Sequence, residues 1–255
     1  MKSSTGTNRP AVLRARRGAA VKGGNMVYQN IKPAVFLRRP NRFIAEVELE
    51  GNPAVCHVKN TGRCRELLVP GARVYVQDCP SPARKTRYDL IAVAKGDRLV
   101  NIDSQAPNKV VGEWLAAGGL FQAPALIKPE YRFRSSRLDF YVEAAGRKCL
   151  LEVKGVTLEE QGAALFPDAP TERGVKHLRE LCGCLAKGYD AYVVFVIQMK
   201  GVRCFAPNDR THKAFGDALR FAAESGVRVL ALDCVAEADR LCINGPVPVK
   251  LSSSV

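Results

Sequence analysis

A continuous apolar run from Ala191 to Gln198 restricts the fold of this chain more than any other feature. The run is rich in β-branched residues and is typical of a strand that is buried on both faces of a sheet. Its apolar part is the longest in the chain and falls well short of the roughly 18 consecutive apolar residues of a membrane-spanning helix. We therefore predict a sheet at the centre of the C-terminal half and no association with a membrane.

Segments with helical periodicity alternate with further strand patterns around this run. The predicted helices span residues 109–117, 171–185 and 214–224, and the other predicted strands span residues 137–143, 149–153 and 227–232. Gly118 and Gly119 end the first helix, and Thr171 is suited to cap the second. Helices that alternate with buried strands indicate an α/β or α+β domain, to which we assign residues 108–255.

The N-terminal part has a different pattern. Residues 43–50 alternate apolar and acidic residues, which is the period of a half-buried strand. Further strand patterns at residues 54–58, 72–76 and 88–94 are separated by turns. Short strands at this spacing fit a compact barrel such as an OB-fold, whose exposed face commonly binds single-stranded nucleic acid. We assign this barrel to residues 26–107.

The charge of the chain is concentrated near its N-terminus. Lys and Arg number 39 against 25 Asp and Glu, for a net charge of +14. Residues 1–25 contribute six basic residues and no acid, residues 26–112 contribute 14 basic against 8 acidic, and residues 113–255 contribute 19 against 17. A basic excess favours polyanionic partners, although a solubilising surface is the alternative.

Residues 1–25 have no apolar core of the length that a secretory signal needs. We expect a disordered basic arm or a start site assigned too far upstream of Met26, with a transit peptide as a third option. The nine cysteines are scattered and include no C-x-x-C pair or zinc-finger spacing. They indicate reduced thiols and therefore a cytoplasmic protein.

Two carboxylates and a lysine lie on neighbouring predicted strands. Asp139 and Glu152 can approach each other across an antiparallel pair, and Lys154 projects from the same face as Glu152. Nearby buried carboxylates repel each other and need a cation, and Mg²⁺ or Mn²⁺ suits their oxygen ligands. The strands are otherwise apolar, so unpaired charge there would be costly. This pattern predicts a metal-dependent phosphodiesterase site that Lys154 assists, with the Val153 carbonyl as a further candidate ligand.

Other charged residues are candidates for the same site. Glu113, on the preceding helix, is a plausible fourth group, with a solvated helix position as the alternative. Arg173 and His177 are four residues apart and share one helix face. If that face looks toward the carboxylates, Arg173 or Lys176 would hold a phosphate and His177 would contact the substrate, whereas a hydrogen-bonded structural histidine is the alternative.

Several longer motifs occur together in one order along the chain. They are Asn60-Thr61-Gly62-Arg63, Ser136-Arg137-Leu138-Asp139-Phe140, Glu152-Val153-Lys154-Gly155-Val156-Thr157-Leu158, Phe166-Pro167-Asp168-Ala169, Thr171-Glu172-Arg173-Gly174 and Lys176-His177-Leu178. This combination resembles the sugar fermentation stimulation protein (SfsA) family from about Leu37 to Leu232. The resemblance implies an OB-like N-terminal barrel followed by a restriction-endonuclease-like PD-(D/E)XK domain with a mixed central sheet flanked by helices.

The resemblance also implies non-specific DNA binding and a nuclease signature at Asp139, Glu152 and Lys154. RNA remains open as the polymer, and so does a homodimer. The candidate nucleic-acid contacts are Arg38, Arg39, Asn60, Arg63, Arg65, Arg84, Lys85, Arg137, Arg173, Lys176 and His177. A non-catalytic DNA-binding regulator of sugar (maltose) metabolism genes is the main alternative. An enzyme acting on a small phosphorylated substrate is less favoured because the chain has no Gly-rich phosphate loop.

Overall fold

The computed structural model describes residues 26–60, 62–134 and 136–252, so the expected N-terminal arm lies outside the described residues. The strands are β1 (Met26–Val27), β2 (Ile31–Asn41), β3 (Ile44–Leu49), β4 (Asn52–Val58), β5 (Arg73–Asp78), β6 (Tyr88–Lys95), β7 (Arg98–Asn101), β8 (Leu126–Phe133), β9 (Ser136–Ala144), β10 (Arg147–Val156), β11 (Leu158–Glu160), β12 (Ala163–Phe166), β13 (Asp190–Ile197), β14 (Cys204–Pro207), β15 (Arg228–Ala236) and β16 (Arg240–Pro246). The helices are α1 (Ala106–Ala116), α2 (Glu172–Leu185) and α3 (Asp209–Glu224).

Strands β2 to β6 form the predicted barrel. Their sheet has the order β4-β3-β2-β5-β6-β7, and a parallel pairing of β4 with β6 closes it around β2 to β6. The alternation in β3 has the predicted effect: Ala45 and Val47 are buried in the barrel core, whereas Glu48 is exposed. Strand β7 extends β6 outside the closed ring.

The second sheet has seven strands in the order β1-β16-β15-β13-β10-β9-β8. The apolar run forms β13 at its centre, between parallel neighbours β10 and β15, while the outer pairs are antiparallel. Residues Val193 to Ile197 are fully buried. The predicted mixed sheet is confirmed, and burial on both faces explains why this strand has a continuous apolar sequence.

Helices cover both faces of this sheet. On one face, Val110 and Val111 of α1 share a core with Leu151 of β10. On the other face, Leu178 of α2 shares a core with Leu150. Helix α2 begins where the sequence predicts, since Thr171 Oγ1 accepts a hydrogen bond from the Gly174 N–H at 3.1 Å. Helix α3 packs beside α2, and a small sheet of β11, β12 and β14 lies next to them.

The barrel is connected to the second sheet at both of its ends. Strand β1 pairs with β16 in the seven-stranded sheet and not with the barrel, although it precedes the barrel in the chain. After β7 the chain continues into α1. The segment between them is held by the buried side chain of Gln198, just after β13, which donates to Asn101 Oδ1 at 3.0 Å and to the Asp103 carbonyl at 2.9 Å. Among the described residues, none of the helices combines the length and apolar character needed to cross a membrane.

Candidate active site

The site is built where two strands of the large sheet separate. The β9–β10 ladder ends at the pair Phe140 and Leu151, while β10 continues to pair with β13 as far as Val156. Beyond the last pair, Asp139 Oδ2 accepts the Val153 N–H at 2.7 Å. A carboxylate thus takes the position of a backbone partner, and β10 has an open edge at this point. The N–H and C=O of one residue in a strand point to the same side, so the Val153 carbonyl also faces this edge.

The second oxygen of Asp139 is held by helix α1. Asn108 Nδ2, in the first turns of α1, donates to Asp139 Oδ1 at 2.7 Å. Burial raises the pKa of Asp139 above its ordinary value, and the Glu152 carboxylate raises it further, against the opposing hydrogen bonds from Val153 and Asn108. The sequence reasoning did not find Asn108, because an amide 31 residues away in the chain gives no signal of this contact.

Glu152 is almost completely buried and is surrounded by donors. Lys154 Nζ donates to Glu152 Oε1 at 2.5 Å, as the alternation of strand β10 predicts. The Nδ1 atom of His177 on α2 contacts the same oxygen. Burial by itself raises the pKa of Glu152, but the His177 hydrogen bond and the Lys154 charge outweigh it and hold this pKa below its ordinary value. Glu152 is therefore ionised at neutral pH.

The other oxygen of Glu152 has no partner. Glu152 Oε2 is buried and receives no hydrogen bond from any described residue. An ionised carboxylate oxygen that is removed from water is costly unless a donor or a cation meets it. This atom is therefore the strongest local sign of a group that completes the site.

His177 holds Glu152 in place. Because a carboxylate only accepts, His177 Nδ1 donates to Glu152, and Arg173 Nε lies 3.3 Å from His177 Nε2. His177 is only 6% exposed, and both ring nitrogens are engaged within the protein. The contacts of His177 thus orient the Glu152 carboxylate, and its contact with nucleic acid stays a prediction.

A polar cleft of about 300 Å³ contains these groups. It brings together seven residues that the sequence selected, namely Arg137, Asp139, Glu152, Val153, Lys154, Arg173 and His177. It also contains Ser104, Asn108, Glu130 and Leu138, which the sequence reasoning did not select. Ser104 Oγ donates to the Lys59 carbonyl of the barrel, so the barrel reaches the wall of this cleft.

Glu113 lies outside the cleft. It follows Asn108 by five residues, which at 3.6 residues per turn places it about 140° further around α1. One of its carboxylate oxygens is buried without a hydrogen-bond partner among the described residues. The structure therefore does not bring Glu113 together with Asp139 and Glu152 in the cleft. Lys176 also points away from the cleft and contacts Glu180 at 3.8 Å.

Several predicted nucleic-acid contacts in the barrel are instead paired within the protein. Arg39 donates to four backbone carbonyls, those of Asn60, Gly62, Arg63 and Arg42, and so holds the loop after β4. Arg38 forms a bidentate ion pair with Glu46 at 2.7 and 2.8 Å, and Arg84 is paired with Asp89. The side chains of Arg38, Arg39 and Arg84 thus have partners within the protein, and their contact with nucleic acid stays a prediction.

The loop after β4 nevertheless carries a basic cavity. Asn60 shapes this loop, because its Oδ1 accepts the Gly62 N–H at 2.8 Å. A cavity of about 330 Å³ is lined by Arg39, Asn41, Arg42, Gly62, Arg63, Arg65 and Leu68. Among the described residues, Arg42, Arg63 and Arg65 form no ion pair with a carboxylate. Lys85 is exposed in the loop between β5 and β6.

The donor set of the cleft fits a hard divalent cation. Among the described residues, no three His, Cys, Asp or Glu side chains are grouped as metal ligands. The donors beside one another are the carboxylates of Asp139 and Glu152 and the Val153 carbonyl, whereas the Glu130 carboxylate in the same cleft contacts Arg137 at 3.5 Å. Mg²⁺ commonly binds to only one or two carboxylates and keeps water or substrate phosphate as its other ligands. A bound cation would also provide the partner that the buried Glu152 Oε2 lacks.

Comparison with known proteins agrees with this architecture. The family models described as "SfsA N-terminal OB domain" and "Sugar fermentation stimulation protein RE domain" match residues 37–102 and 105–240. Sugar fermentation stimulation protein homologs from Clostridium beijerinckii and Desulfitobacterium hafniense are 58% and 61% identical over 226 residues, which is 89% of this chain and 100% and 99% of theirs. The structure of Pyrococcus furiosus SfsA in complex with Ca²⁺ matches with a TM-score of 0.81 and 28% identity over 91% of this chain and 100% of that chain. The chain therefore belongs to the sugar fermentation stimulation protein (SfsA) family.

Proposed function

We propose that this protein binds nucleic acid and hydrolyses its phosphodiester bonds with the help of Mg²⁺ or Mn²⁺. One arrangement carries the proposal. The Asp139 carboxylate and the unpartnered Glu152 Oε2 lie together at an open strand edge, beside Lys154. Two carboxylates that converge where strands separate, with a lysine on the same face, match the requirements of a phosphodiesterase metal site.

Each residue of the cleft has a distinct part in this proposal. Asp139, Glu152 Oε2 and the Val153 carbonyl would hold the cation, which supplies Lewis-acid activation of water and of the phosphate. The Lys154 ammonium stabilises the negative charge that builds on the phosphate as the attacking oxygen bonds to phosphorus and the leaving oxygen departs. His177 keeps the Glu152 carboxylate fixed and ionised.

A relative supports the class of metal. Pyrococcus furiosus SfsA, which shares this fold at 28% identity, is described in complex with Ca²⁺. Ca²⁺ prefers the same oxygen donors as Mg²⁺ but takes more ligands in a looser geometry. We therefore expect Ca²⁺ to occupy this cleft as a competitor of Mg²⁺ and Mn²⁺.

Charge and position support a nucleic-acid substrate. Arg137 and Arg173 line the cleft, and Arg42, Arg63 and Arg65 surround the cavity on the neighbouring loop of the barrel. Phosphates that replace counterions at these arginines provide affinity without sequence specificity. The loop after β4 and the cleft meet at the contact of Ser104 with Lys59. A single nucleic-acid strand can therefore reach both.

A cleavage assay tests the proposal. Labelled single- and double-stranded DNA and RNA are incubated with protein and with Mg²⁺, Mn²⁺, Ca²⁺ or EDTA. Cleavage is expected with Mg²⁺ or Mn²⁺ only, and it should be lost in Glu152→Gln and Lys154→Met. Lys213→Ala serves as a matched control, because Lys213 is exposed on α3 and pairs with Asp217. Binding that persists without cleavage under every metal condition would favour the non-catalytic regulator instead.

Salt titration tests the binding part separately. The affinity for DNA should fall steeply with salt, since each neutralised phosphate contributes a slope of about −0.9 in log K against log salt for duplex DNA. Arg63→Ala and Arg65→Ala should each reduce this slope by about one unit. A flat salt response would contradict the assignment of nucleic acid as the partner.

A further inference from the structure

A second cavity lies beside the cleft on the far side of α2. It has a volume of about 240 Å³ and is lined by Phe133, Arg134, Lys176, Arg179, Glu180 and Gly183. The residues come from the end of β8, the turn after it and the outer face of α2. Only Lys176 among them was selected from the sequence.

The cavity and the cleft share their walls. On α2, Lys176 lines the cavity and the next residue, His177, lines the cleft. On β9, Ser136 donates to Glu180 in the cavity, and the next residue, Arg137, lines the cleft. The two sites therefore border adjacent residues on both α2 and β9.

The charges of the cavity suit an anion. Among the described residues, neither Arg134 nor Arg179 forms an ion pair with a carboxylate, and Lys176 has only the 3.8 Å contact with Glu180. Three cations that converge on one cavity with a single carboxylate, Glu180, leave a net positive charge that favours a phosphate group.

The cavity also offers a surface for a flat ring. Phe133 is half-buried and packs edge-on against Tyr189, with ring centroids 5.5 Å apart, and the Arg134 guanidinium lies over its ring at 5.7 Å from the centroid. At Gly183 an added Cβ would have no neighbour nearer than Arg134 Nη1 at 4.0 Å, so the helix surface there leaves open space. Nucleic-acid bases stack on exposed aromatic rings in sites of this kind.

Glu180 adds a group that can distinguish bases. Its Oε1 accepts the Ser136 hydroxyl, whereas its Oε2 is buried and has no hydrogen-bond partner among the described residues. A buried carboxylate oxygen requires a donor. Cytosine, adenine and guanine each carry an exocyclic amine that can donate, whereas thymine and uracil carry none.

We propose that this cavity binds one unpaired nucleotide of the substrate strand, next to the phosphate in the cleft. Arg134 and Lys176 bind its phosphate, Phe133 stacks on its base, and Glu180 Oε2 accepts a hydrogen bond from an exocyclic amine of that base. The proposal rests on the proposed function, and it adds a single-stranded substrate with a preference for amine-bearing bases at one position.

Fluorescence anisotropy in EDTA tests the proposal without cleavage. The probes are fluorescein-labelled oligo(dC) and oligo(dT) of equal length. The protein should bind oligo(dC) at least about tenfold more tightly, as expected for one hydrogen bond to a charged group. Arg134→Ala should weaken binding of both probes, while Lys213→Ala should weaken neither. Glu180→Leu should remove the preference for oligo(dC), whereas a purely electrostatic role would shift both affinities equally and overturn the base contact.

Hydrolysis of bis(p-nitrophenyl) phosphate with Mn²⁺ separates this proposal from the proposed function. This small diester reports the Asp139–Glu152 site alone. A protein that hydrolyses it, yet binds both oligonucleotides equally and is insensitive to Arg134→Ala, overturns the nucleotide cavity only. A protein that neither hydrolyses it nor binds either oligonucleotide overturns the proposed function itself.

Discussion

Asp139 Oδ2 accepts the backbone N–H of Val153 at 2.7 Å, just beyond the last paired residues of β9 and β10. This contact satisfies a backbone donor that the separated strands would otherwise leave unpaired. The same carboxylate is therefore both a structural acceptor and a candidate cation ligand. Its two roles can be separated by mutation.

Asp139→Asn should separate them. The amide oxygen can still accept the Val153 N–H, and the new amide nitrogen can donate to Asn108 once the Asn108 side-chain amide turns its oxygen toward it. The charge that burial and Glu152 disfavour is gone. We expect the free energy of unfolding in EDTA to rise, and metal-dependent cleavage to fall by more than about 100-fold, since even partners of metal ligands contribute about 10- to 100-fold. Urea unfolding and cleavage rates measure the two effects.

Asp139→Ala is the matched comparison. It removes the acceptor as well and should lower the free energy of unfolding by about 1–3 kcal/mol, because a buried backbone N–H is left without a partner. Equal stability of the Asn and Ala variants would contradict the structural role of this contact.

Arg39 should prove to be a structural arginine. Its guanidinium donates to four carbonyls, and a lysine has a single nitrogen that cannot reproduce this pattern. Arg39→Lys should therefore lower the free energy of unfolding by about 2 kcal/mol. Arg65→Ala should change stability little while weakening DNA binding. Thermal unfolding and anisotropy give the comparison, and a destabilising Arg65→Ala would argue against this division of roles.

Asp89 should make the protein sensitive to acid. Burial raises its pKa, but hydrogen bonds from Arg84 and Lys59 outweigh burial and leave this pKa below its ordinary value. His57 and Cys79 also face this carboxyl. A lowered pKa stabilises the folded state fully above the unfolded pKa of about 3.9, and this contribution is lost as pH falls through the lower folded value.

Urea unfolding at several pH values measures this contribution. Asp89→Asn should be less stable than the parent at neutral pH, and its stability should fall less between neutral and strongly acidic pH. An identical pH dependence in the two proteins would show that Asp89 contributes nothing to acid sensitivity.

The cysteines should differ in reactivity. Burial raises the pKa of Cys56 and of Cys64 to about 12, and both are at most 2% exposed. We expect them to resist a thiol-specific reagent at pH near 8 in the native protein and to react after denaturation. The partly exposed Cys79, Cys182, Cys204 and Cys242 should be modified first. Mass spectrometry of peptides from partly modified protein identifies the order.

The elements with strong local patterns could be predicted from the sequence. Strand β13 has a continuous apolar run, and α2 has both helical periodicity and a capping threonine. Strand β8 was not predicted, because Pro129 interrupts it and most of its residues are exposed. It forms by pairing with β9 and not through a pattern of its own.

The site was predictable only in part for a similar reason. The position of Glu152 and Lys154 on one face follows from strand alternation. The contacts of Asp139 with Asn108 and of Glu152 with His177 join distant segments and leave no local trace. Arg39 and Arg65 look equivalent in the sequence, and only the folded loop distinguishes a carbonyl-binding arginine from one that lines a cavity.

The pairing of β1 with β16 has a consequence for how the two parts of the molecule move. The chain leaves the large sheet through β1, forms the barrel and returns through α1 to the same sheet. An inserted unit anchored at two points has far less rotational freedom than a domain on a single linker. The distance between the loop that carries Arg63 and Arg65 and the cleft is thus set by the fold itself. Under the proposed function, this distance limits the width of the nucleic acid that can contact both.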